Sequence, residues 1–334
     1  MTRLAAALAA ALLTAAPSPA APREAPALLV PPALGRTDLV WISGRVLEEA
    51  QGQHGPAALR TARALSASNL EGAAVEVTFL GRTARAVSGD DGEFLVAIPA
   101  GDGPPFPAGA SPVQVRAGGA GATGVVHVVD PAAPFLLVTD FDDTVAVTNV
   151  ARPGGAVRTT FLEDADTQPA VPGMAALYRC LVVRPEGTPA PAVAFVSGSP
   201  VQLAPRLVRF LERNGFPPAA LFLRNLGPGS LSGYKEPVLR TLLARFPQKL
   251  VLIGDTGERD PEIYAALARE FPDRVLRIYL RRATAGPDPA ARLDGALPFS
   301  DPAVPARDAA GRALADLACV DAAFPGKGAA PGAP

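Results

Sequence analysis

The chain has 334 residues, 49% of them hydrophobic and 19% charged, with a formal net charge of −1 at pH 7. This composition is that of a folded protein long enough for two domains, and it excludes an intrinsically disordered chain. The near-zero charge gives no long-range field that would favour an anionic membrane or nucleic acid, so no nucleic-acid partner is predicted.

The first 21 residues have the pattern of a signal peptide. Arg3 supplies a positive start, Leu4 to Ala16 form an apolar stretch, and Ser18-Pro19-Ala20 provides the small residues that a signal peptidase needs. The apolar stretch is shorter than the roughly 20 residues that span a membrane. We therefore expect an exported protein, periplasmic or secreted, with no stable transmembrane segment.

A proline-rich linker over residues 22–35 precedes a β-rich segment over residues 36–131. Its short runs alternate in hydrophobicity or are rich in β-branched residues, and Gly, Asp and Pro separate them. The runs cover residues 40–47, 73–81, 92–99, 112–118 and 124–130. This pattern predicts a small β-sandwich-like domain.

Residues 132–283 have a different pattern, in which short apolar runs alternate with helices of 3.6-residue period. The runs are FLLVTD (135–140), AVAFVSG (192–198), LFLRN (221–225), KLVLIGD (249–255) and RVLRIYL (274–280). Such runs are typical of parallel strands buried on both faces. The fold class is therefore predicted as α/β, with a doubly wound, mostly parallel sheet. The tail over residues 284–334 is rich in Ala, Pro and Gly and is interpreted as mostly linker or disorder.

The chain contains two cysteines, Cys180 and Cys319. An oxidising compartment permits a disulfide between them, but Cys180 can equally serve as a small buried apolar residue. Connectivity depends on a geometry that the sequence does not show, so both alternatives stay open.

Acidic and polar residues follow the predicted strands at their carboxyl ends. Asp140 and Asp142 follow the first strand, Ser197 the second and Asp255 the fourth, while Lys235 opens a helix. Crowded carboxylates repel one another, so a divalent cation is expected among them, and oxygen-only ligands favour magnesium over zinc. Each residue alone could be a turn or cap residue, but the joint arrangement favours a phosphate site.

The order of these residues resembles the motifs of the haloacid dehalogenase superfamily. The matching residues are the DxDxT motif (Asp140, Asp142, Thr144), Ser197, Lys235 and the GDxxxxD motif (Asp255, Asp260). Within that superfamily, TDFDDTV, VPGMAALYR, FVSGSPVQL and LIGDTGERDPEIY are similar to the actin-patch phosphatidate phosphatase family over residues 135–282. The resemblance implies a haloacid-dehalogenase-like Rossmannoid catalytic domain. Arg224-Asn225 departs from the family, in which an acidic residue follows the arginine.

The resemblance also implies catalytic roles. Asp140 would be the nucleophile that forms an aspartyl-phosphate. Asp142 would protonate the leaving oxygen and then deprotonate the attacking water. Thr144 would position Asp142, and Ser197 and Lys235 would hold the phosphoryl oxygens.

The implied cofactor is Mg²⁺. Its ligands would be Asp140, the backbone carbonyl of Asp142, and Asp255, with Asp260 or alternatively Glu258 completing the shell. Asp143 receives no role from the sequence.

The resulting prediction is a phosphoric monoester hydrolase acting on phosphatidate or a related lipid phosphate at a membrane surface. Two alternatives stay open: a phosphatase of a soluble nucleotide or sugar phosphate, and a non-catalytic envelope binding protein with a vestigial site. Residues Ala151 to Ala170 are interpreted as a flap rather than a full cap domain. The oligomeric state is not predicted.

Overall fold

The structure is a computed structural model that describes residues 26–48, 57–147, 168–225, 231–283 and 290–326. The predicted signal peptide and most of the predicted flap lie outside the described residues. Among the residues that are described, no helix is long and apolar enough to cross a membrane.

The β-rich segment forms one curled, mostly antiparallel sheet of eight strands. The strands are β1 (Ala27–Leu29), β2 (Ala33–Arg36), β3 (Leu39–Leu47), β4 (Ala74–Phe79), β5 (Arg82–Val87), β6 (Glu93–Pro99), β7 (Gly109–Ala117) and β8 (Ala120–Val129), with helix α1 (Ala57–Ser66) between β3 and β4. They are ordered β1-β3-β2-β8-β7-β4-β5, and β6 also pairs with β3. Alternate residues point inward, such as Phe94, Val96 and Ile98 on β6. The predicted sandwich-like arrangement is not confirmed, because alternation specifies a buried face but not how many sheets enclose it.

The second sheet is parallel and has six strands, which confirms the predicted α/β pattern. The strands are β9 (Phe135–Thr139), β10 (Ala192–Pro200), β11 (Ala220–Arg224), β12 (Lys249–Asp255), β13 (Val275–Arg281) and β14 (Ala296–Phe299), in the order β11-β10-β9-β12-β13-β14. All side chains of β9 are buried. Phe135 and Leu137 belong to one core cluster and Leu136 and Val138 to another. Both faces of the sheet are therefore covered.

Helices form the two covering layers. They are α2 (Met174–Val182), α3 (Ala204–Arg213), α4 (Leu231–Arg245), α5 (Asp260–Glu270), α6 (Ala303–Gly311) and α7 (Leu317–Ala323), with short 3₁₀ helices at Val201–Leu203 and Ala290–Leu293. Residues of α2, α3, α6 and α7 pack in one core cluster, and residues of α4 and α5 pack in the other.

Residues 290–326 differ from the expectation of linker or disorder. They contribute β14, which pairs in parallel with β13, together with α6 and α7. Small residues such as Ala306 and Ala309 are buried in the core, so a composition that indicates disorder in fact packs closely. Cys319 on α7 forms a disulfide with Cys180 on α2, which resolves the alternative that the sequence left open.

The two sheets meet along β11, the edge strand of the parallel sheet. The backbone N–H of Leu221 donates to the carbonyl of Pro32 at 2.9 Å. Trp41 on β3 packs edge-on against Phe246, with the ring centroids 6.0 Å apart. The Asn225 side chain donates to Glu93 Oε2 at 2.6 Å. These contacts place one face of the curled sheet against the parallel sheet.

Candidate active site

The central strands of the parallel sheet deliver two aspartates to the same edge. Thr139 on β9 is in register with Ile253 on β12, and the backbone N–H of Asp140 donates to the carbonyl of Ile253 at 2.9 Å. Asp140 and Asp255 therefore leave neighbouring strands side by side. The carboxyl ends of parallel strands meet at one edge, as the sequence predicts.

Lys235 is the positive centre of this edge. Its ammonium lies 2.8 Å from Asp140 Oδ1, 2.7 Å from Asp260 Oδ1 and 3.1 Å from Glu258 Oε2. The lysine is only 4% exposed. Burial alone would lower the pKa of Lys235, but the carboxylates raise it well above its usual value, so the group is charged.

Asp140, Asp255 and Asp260 together form a buried carboxylate cluster. Each offers an oxygen within 4.8 Å of the others. Asp255 Oδ1 accepts from the backbone N–H groups of Gly257 at 2.5 Å and Glu258 at 3.2 Å. Its Oδ2 is buried and has no hydrogen-bond partner in the part of the chain that the structure describes. An orphaned carboxylate oxygen within an all-oxygen donor set fits a divalent cation such as Mg²⁺.

The electrostatics of the cluster agree with that fit. Burial and the neighbouring charge of Asp260 raise the pKa of Asp255 to about 8. Burial also raises the pKa of Asp140, and Lys235 opposes that rise. The ammonium of Lys235 thus compensates the negative charge of the cluster only in part. A bound divalent cation would lower the pKa values of Asp140 and Asp255 beyond the effect of Lys235.

Asp142 lies apart from this cluster and faces two serines. Its Oδ2 accepts from Ser199 Oγ at 2.8 Å and from Ser197 Oγ at 3.3 Å. Burial raises the pKa of Asp142 to about 6, although the Ser199 hydrogen bond lowers it. A carboxyl group with this pKa can both donate and accept a proton near neutral pH.

Ser199 is a site residue that the sequence reasoning missed. Ser197 and Ser199 are two residues apart on β10, a spacing that places both on one side of a strand. The Ser199 backbone N–H also donates to Ser197 Oγ at 3.0 Å. The Ser-Gly-Ser sequence could therefore have predicted that a second serine hydroxyl, besides that of Ser197, contacts Asp142.

Thr144 contacts a different aspartate from the one predicted. Its hydroxyl donates to Asp140 Oδ2 at 3.3 Å, whereas the resemblance implies that it positions Asp142. The intervening Asp143 has a φ of 51°, a left-handed conformation that aspartate tolerates better than most residues. Arg281 donates to the backbone carbonyl of Asp143 and so braces this turn.

Gly254 has a steric role in the same motif. A Cβ atom at Gly254 would lie 2.3 Å from Asp260 Oδ2. Only glycine therefore leaves room for the Asp260 carboxylate beside the end of β12. The N–H of Asp255 faces the same oxygen at 3.4 Å.

This geometry can be compared with known proteins. Residues 135–282 match the family described as phosphatidate phosphatase APP1, catalytic domain. Residues 135–282 belong to this family. The family predicted from the sequence motifs is thus confirmed for the segment that carries them.

Two fungal proteins are similar to this chain. Uncharacterized protein C29B5.04c of Schizosaccharomyces pombe is 35% identical over 155 residues, which are 43% of this chain and 24% of the relative. Phosphatidate phosphatase APP1 of Saccharomyces cerevisiae is 30% identical over 154 residues, which are 43% of this chain and 25% of the relative. The chain therefore spans about a quarter of the length of these relatives.

Similarity to solved structures is low. A carbohydrate acetylesterase from Xanthomonas citri aligns with a TM-score of 0.27 and 13% identity over 77% of this chain and 60% of that chain. A polysaccharide deacetylase from Bacillus anthracis, described as putative, aligns with a TM-score of 0.19 and 10% identity over 82% of this chain and 87% of that chain. Neither similarity informs the fold of the APP1-family segment.

Arg292 is a second residue that the sequence reasoning missed, and it lies beyond the APP1-family match. Its guanidinium donates to the backbone carbonyls of Thr256 at 2.8 Å and Glu258 at 2.6 Å. It also pairs with Glu262 on α5 at 2.5 Å. Arg292 thus holds the loop whose N–H groups bind Asp255 Oδ1. No sequence signal marked it, because an arginine in an Ala/Pro-rich tail looks compositional.

Proposed function

We propose that this protein is a magnesium-dependent phosphatase that hydrolyses phosphatidate or a related lipid phosphate through an aspartyl-phosphate intermediate. The observation that carries the proposal is the buried Lys235, held between Asp140 and Asp260 beside the unpaired Oδ2 of Asp255. The APP1-family match supports phosphatidate as the substrate. A haloacid-dehalogenase-like Rossmannoid fold for the parallel sheet is part of the same proposal.

The reaction begins at Asp140, whose two oxygens are held by Lys235 and Thr144. An Asp140 oxygen attacks phosphorus, and the ester oxygen leaves with a proton from Asp142. Asp142 then takes a proton from water, and the water oxygen attacks phosphorus. Inorganic phosphate leaves as the Asp140 carboxylate forms again.

The proposed ligands of Mg²⁺ are Asp140, the backbone carbonyl of Asp142, Asp255 and Asp260. When bound, the metal would shield the nucleophile from the charge of the phosphate. Between the two candidates for the last position, the geometry favours Asp260, because Asp260 belongs to the buried carboxylate cluster whereas Glu258 is partly exposed and lies outside it.

The phosphoryl oxygens are proposed to contact Ser197 and Lys235. The Ser197 hydroxyl donates to Asp142, so a hydrogen-bond donor lies next to the residue that is proposed as the general acid and base. Lys235 already contacts three carboxylates, so its first role is to hold Asp140 in position and its second is to attract the phosphate.

An exported location, periplasmic or secreted, is also part of the proposal. The Cys180–Cys319 disulfide supports it, because disulfides persist mainly in oxidising compartments. Fractionation of cells that express the full chain would test it, and recovery of the protein in the cytoplasm with free thiols would contradict it.

Removal of divalent metal should abolish turnover of an aryl phosphate. The reason is that the buried carboxylates would then repel both one another and the substrate. The measurement is kcat after exhaustive chelation and after re-addition of Mg²⁺, with Zn²⁺ as the comparison ion. Full activity in the chelated protein would contradict the metal assignment.

Arg292→Ala should weaken Mg²⁺ binding by about tenfold or more, because residues that orient metal ligands typically contribute that much. Calorimetric titration with Mg²⁺ measures the affinity directly, without turnover. Arg269→Ala is the matched control, since Arg269 forms a surface ion pair with Asp294 at 3.2 Å. Equal Mg²⁺ affinity in the two variants would show that Arg292 does not position Asp255.

Phosphatidate in mixed micelles should be hydrolysed with a higher kcat/KM than nucleotide or sugar phosphates. The family match is the ground for this expectation. A parallel kinetic panel on the purified protein decides between the lipid and the soluble substrates. Preference for a soluble monoester would overturn the lipid assignment, and absence of turnover on every ester would favour a vestigial binding site.

A further inference from the structure

A cavity of about 390 Å³ lies between the curled sheet and the parallel sheet. The edge strand β11 forms its floor through Leu221, Phe222 and Leu223. Helix α4 forms one wall, and strands β3 and β6 of the curled sheet form the other. We call this cavity the interdomain cleft. Its volume lies within the range of ligand pockets, about 300–1,000 Å³.

The interdomain cleft is lined by both polar and large apolar side chains. Both walls contribute large apolar side chains, namely Trp41, Leu95, Phe222, Val238, Leu242 and Phe246. Leu95 is 55% exposed and lies on the face of β6 opposite its buried residues, where it lines the cleft. Apolar side chains left open to water inside a concave site indicate a place for an apolar ligand.

The charged groups of the cleft are engaged with the protein. Arg45 pairs with Asp91 at 3.1 Å, and Glu93 accepts from Asn225 at 2.6 Å. The Arg245 guanidinium lies over the Trp41 ring, 4.5 Å from its centroid. These contacts occupy the charges within the protein, so the cleft favours a hydrocarbon chain over an ionic ligand.

One end of the interdomain cleft adjoins the segments that carry the active site. Tyr234, which lines the cleft, immediately precedes Lys235, and its hydroxyl donates to the Leu223 carbonyl at 2.8 Å. Val201, another lining residue, follows the strand that carries Ser197 and Ser199. This end of the cleft therefore lies beside the chain segments that carry Lys235 and Ser197.

The wall formed by α4 runs away from that end. Tyr234, Val238, Leu242 and Arg245 all line the cleft, a spacing that places them along one face of the helix. At a rise of 1.5 Å per residue, this wall is about 16 Å long. A wall of this length that carries Val238, Leu242 and the neighbouring Phe246 suits an extended hydrocarbon chain.

We infer that the interdomain cleft binds one hydrocarbon chain of the phosphate ester and that the curled sheet is therefore part of the substrate site. This inference rests on the proposed function, since the chain would belong to the lipid phosphate. It assigns the β-rich domain a role in selecting substrates by chain length.

Binding can be measured without turnover, because Trp41 is the only tryptophan of the chain. In the Asp140→Asn protein, dodecyl phosphate and dodecanol below their aggregation limits should change Trp41 fluorescence with saturation. Ethyl phosphate should not. A lack of any saturable change with both long-chain compounds would overturn the inference.

Leu95→Asp tests the cleft by placing a charge on its wall, and the exposed position of Leu95 leaves the packed core of the curled sheet unchanged. The matched control is Val87→Asp, on β5 of the same sheet and 67% exposed. Leu95→Asp should lower kcat/KM for dodecyl phosphate by about tenfold or more through lost apolar contact. Turnover of ethyl phosphate should stay unchanged, as should both activities of Val87→Asp.

The two experiments separate this inference from the proposed function. Saturable Trp41 binding that Leu95→Asp abolishes, in a protein that hydrolyses no phosphate ester, would support the cleft and overturn the function. Equal hydrolysis of dodecyl phosphate by wild type and Leu95→Asp, with no fluorescence change, would overturn the cleft and leave the function standing. Equal loss in Val87→Asp would also overturn the role of the cleft.

Discussion

Asp140→Asn should lower kcat by several powers of ten while the protein stays folded. Asparagine has nearly the shape of aspartate, but its amide cannot form an acyl phosphate, so the covalent route is lost. Lys235 would keep its contacts with Asp260 and Glu258. Removing one charge from a crowded carboxylate cluster also relieves repulsion, so thermal stability should not fall. The measurements are single-turnover kinetics and thermal unfolding.

Asp143→Asn is the matched control for Asp140→Asn. Asp143 is the neighbouring acid with a left-handed φ of 51°, and asparagine tolerates that conformation equally well. Its backbone carbonyl would still accept from Arg281. We expect this variant to keep most of its turnover. Near wild-type activity in Asp140→Asn, or an equal loss in Asp143→Asn, would contradict the role of Asp140 as the nucleophile.

Lys235→Met should reduce both turnover and stability. Methionine matches the length of the lysine stem but removes the ammonium, which leaves Asp140, Asp260 and Asp255 buried without their compensating cation. Removing one member of a buried ion pair typically costs about 3–5 kcal/mol. The free energy of unfolding, measured by denaturant titration in the presence of chelator, should therefore fall by about 3–5 kcal/mol.

The stability loss in Lys235→Met should depend on pH in a defined direction. Without a metal, the pKa of Asp255 is raised from 3.8 to about 8, so its ionisation opposes folding as the pH rises through that range. Lys235 lowers this folded-state pKa, and its removal would raise it further. The difference between variant and wild type that Asp255 causes should therefore be small below about pH 8, where Asp255 is protonated in both folded proteins, and should grow as the pH rises above that value.

Lys249→Met provides the comparison for Lys235→Met. Lys249 is exposed at the start of β12, at the opposite end of that strand from Asp255. Its replacement should change neither kcat nor the pH dependence of unfolding. If Lys235→Met showed the same stability as Lys249→Met above pH 8, where wild-type Asp255 is ionised, the ammonium would not be the compensating charge of the cluster.

The parallel sheet could be predicted from the sequence because its strands are buried on both faces. The run FLLVTD predicted β9, and KLVLIGD predicted β12 with its correct bounds. β14 was missed, because four residues, ALPF, carry too weak a pattern outside the sheet that they join. Its position is set by pairing with β13, a contact that local sequence does not encode.

The candidate site was predictable in its residue types but not in its hydrogen bonds. Strand ends located Asp140 and Asp255, since the topology of a parallel sheet brings them together. The partner of Thr144 depends on the left-handed turn at Asp143, and the partner of Asp142 depends on which side of β10 faces it. Arg292 reaches the loop after β12 from a distant part of the chain, so only the folded structure reveals its contacts.

The short strand β14 also bears on how the molecule avoids aggregation. A bare sheet edge presents unpaired N–H and C=O groups that can pair with another chain, and β13, with the sequence VLRIYLR, would be such an edge if the chain stopped at Arg282. β14 covers it with only four residues, one of them Pro298, and short proline-containing strands are poor templates for further pairing. The Cys180–Cys319 bond ties the segment that follows β14 to α2. A protein truncated at residue 282, where the family match ends, would therefore expose the edge of β13. The segment after residue 282 prevents other protein chains from pairing with that edge.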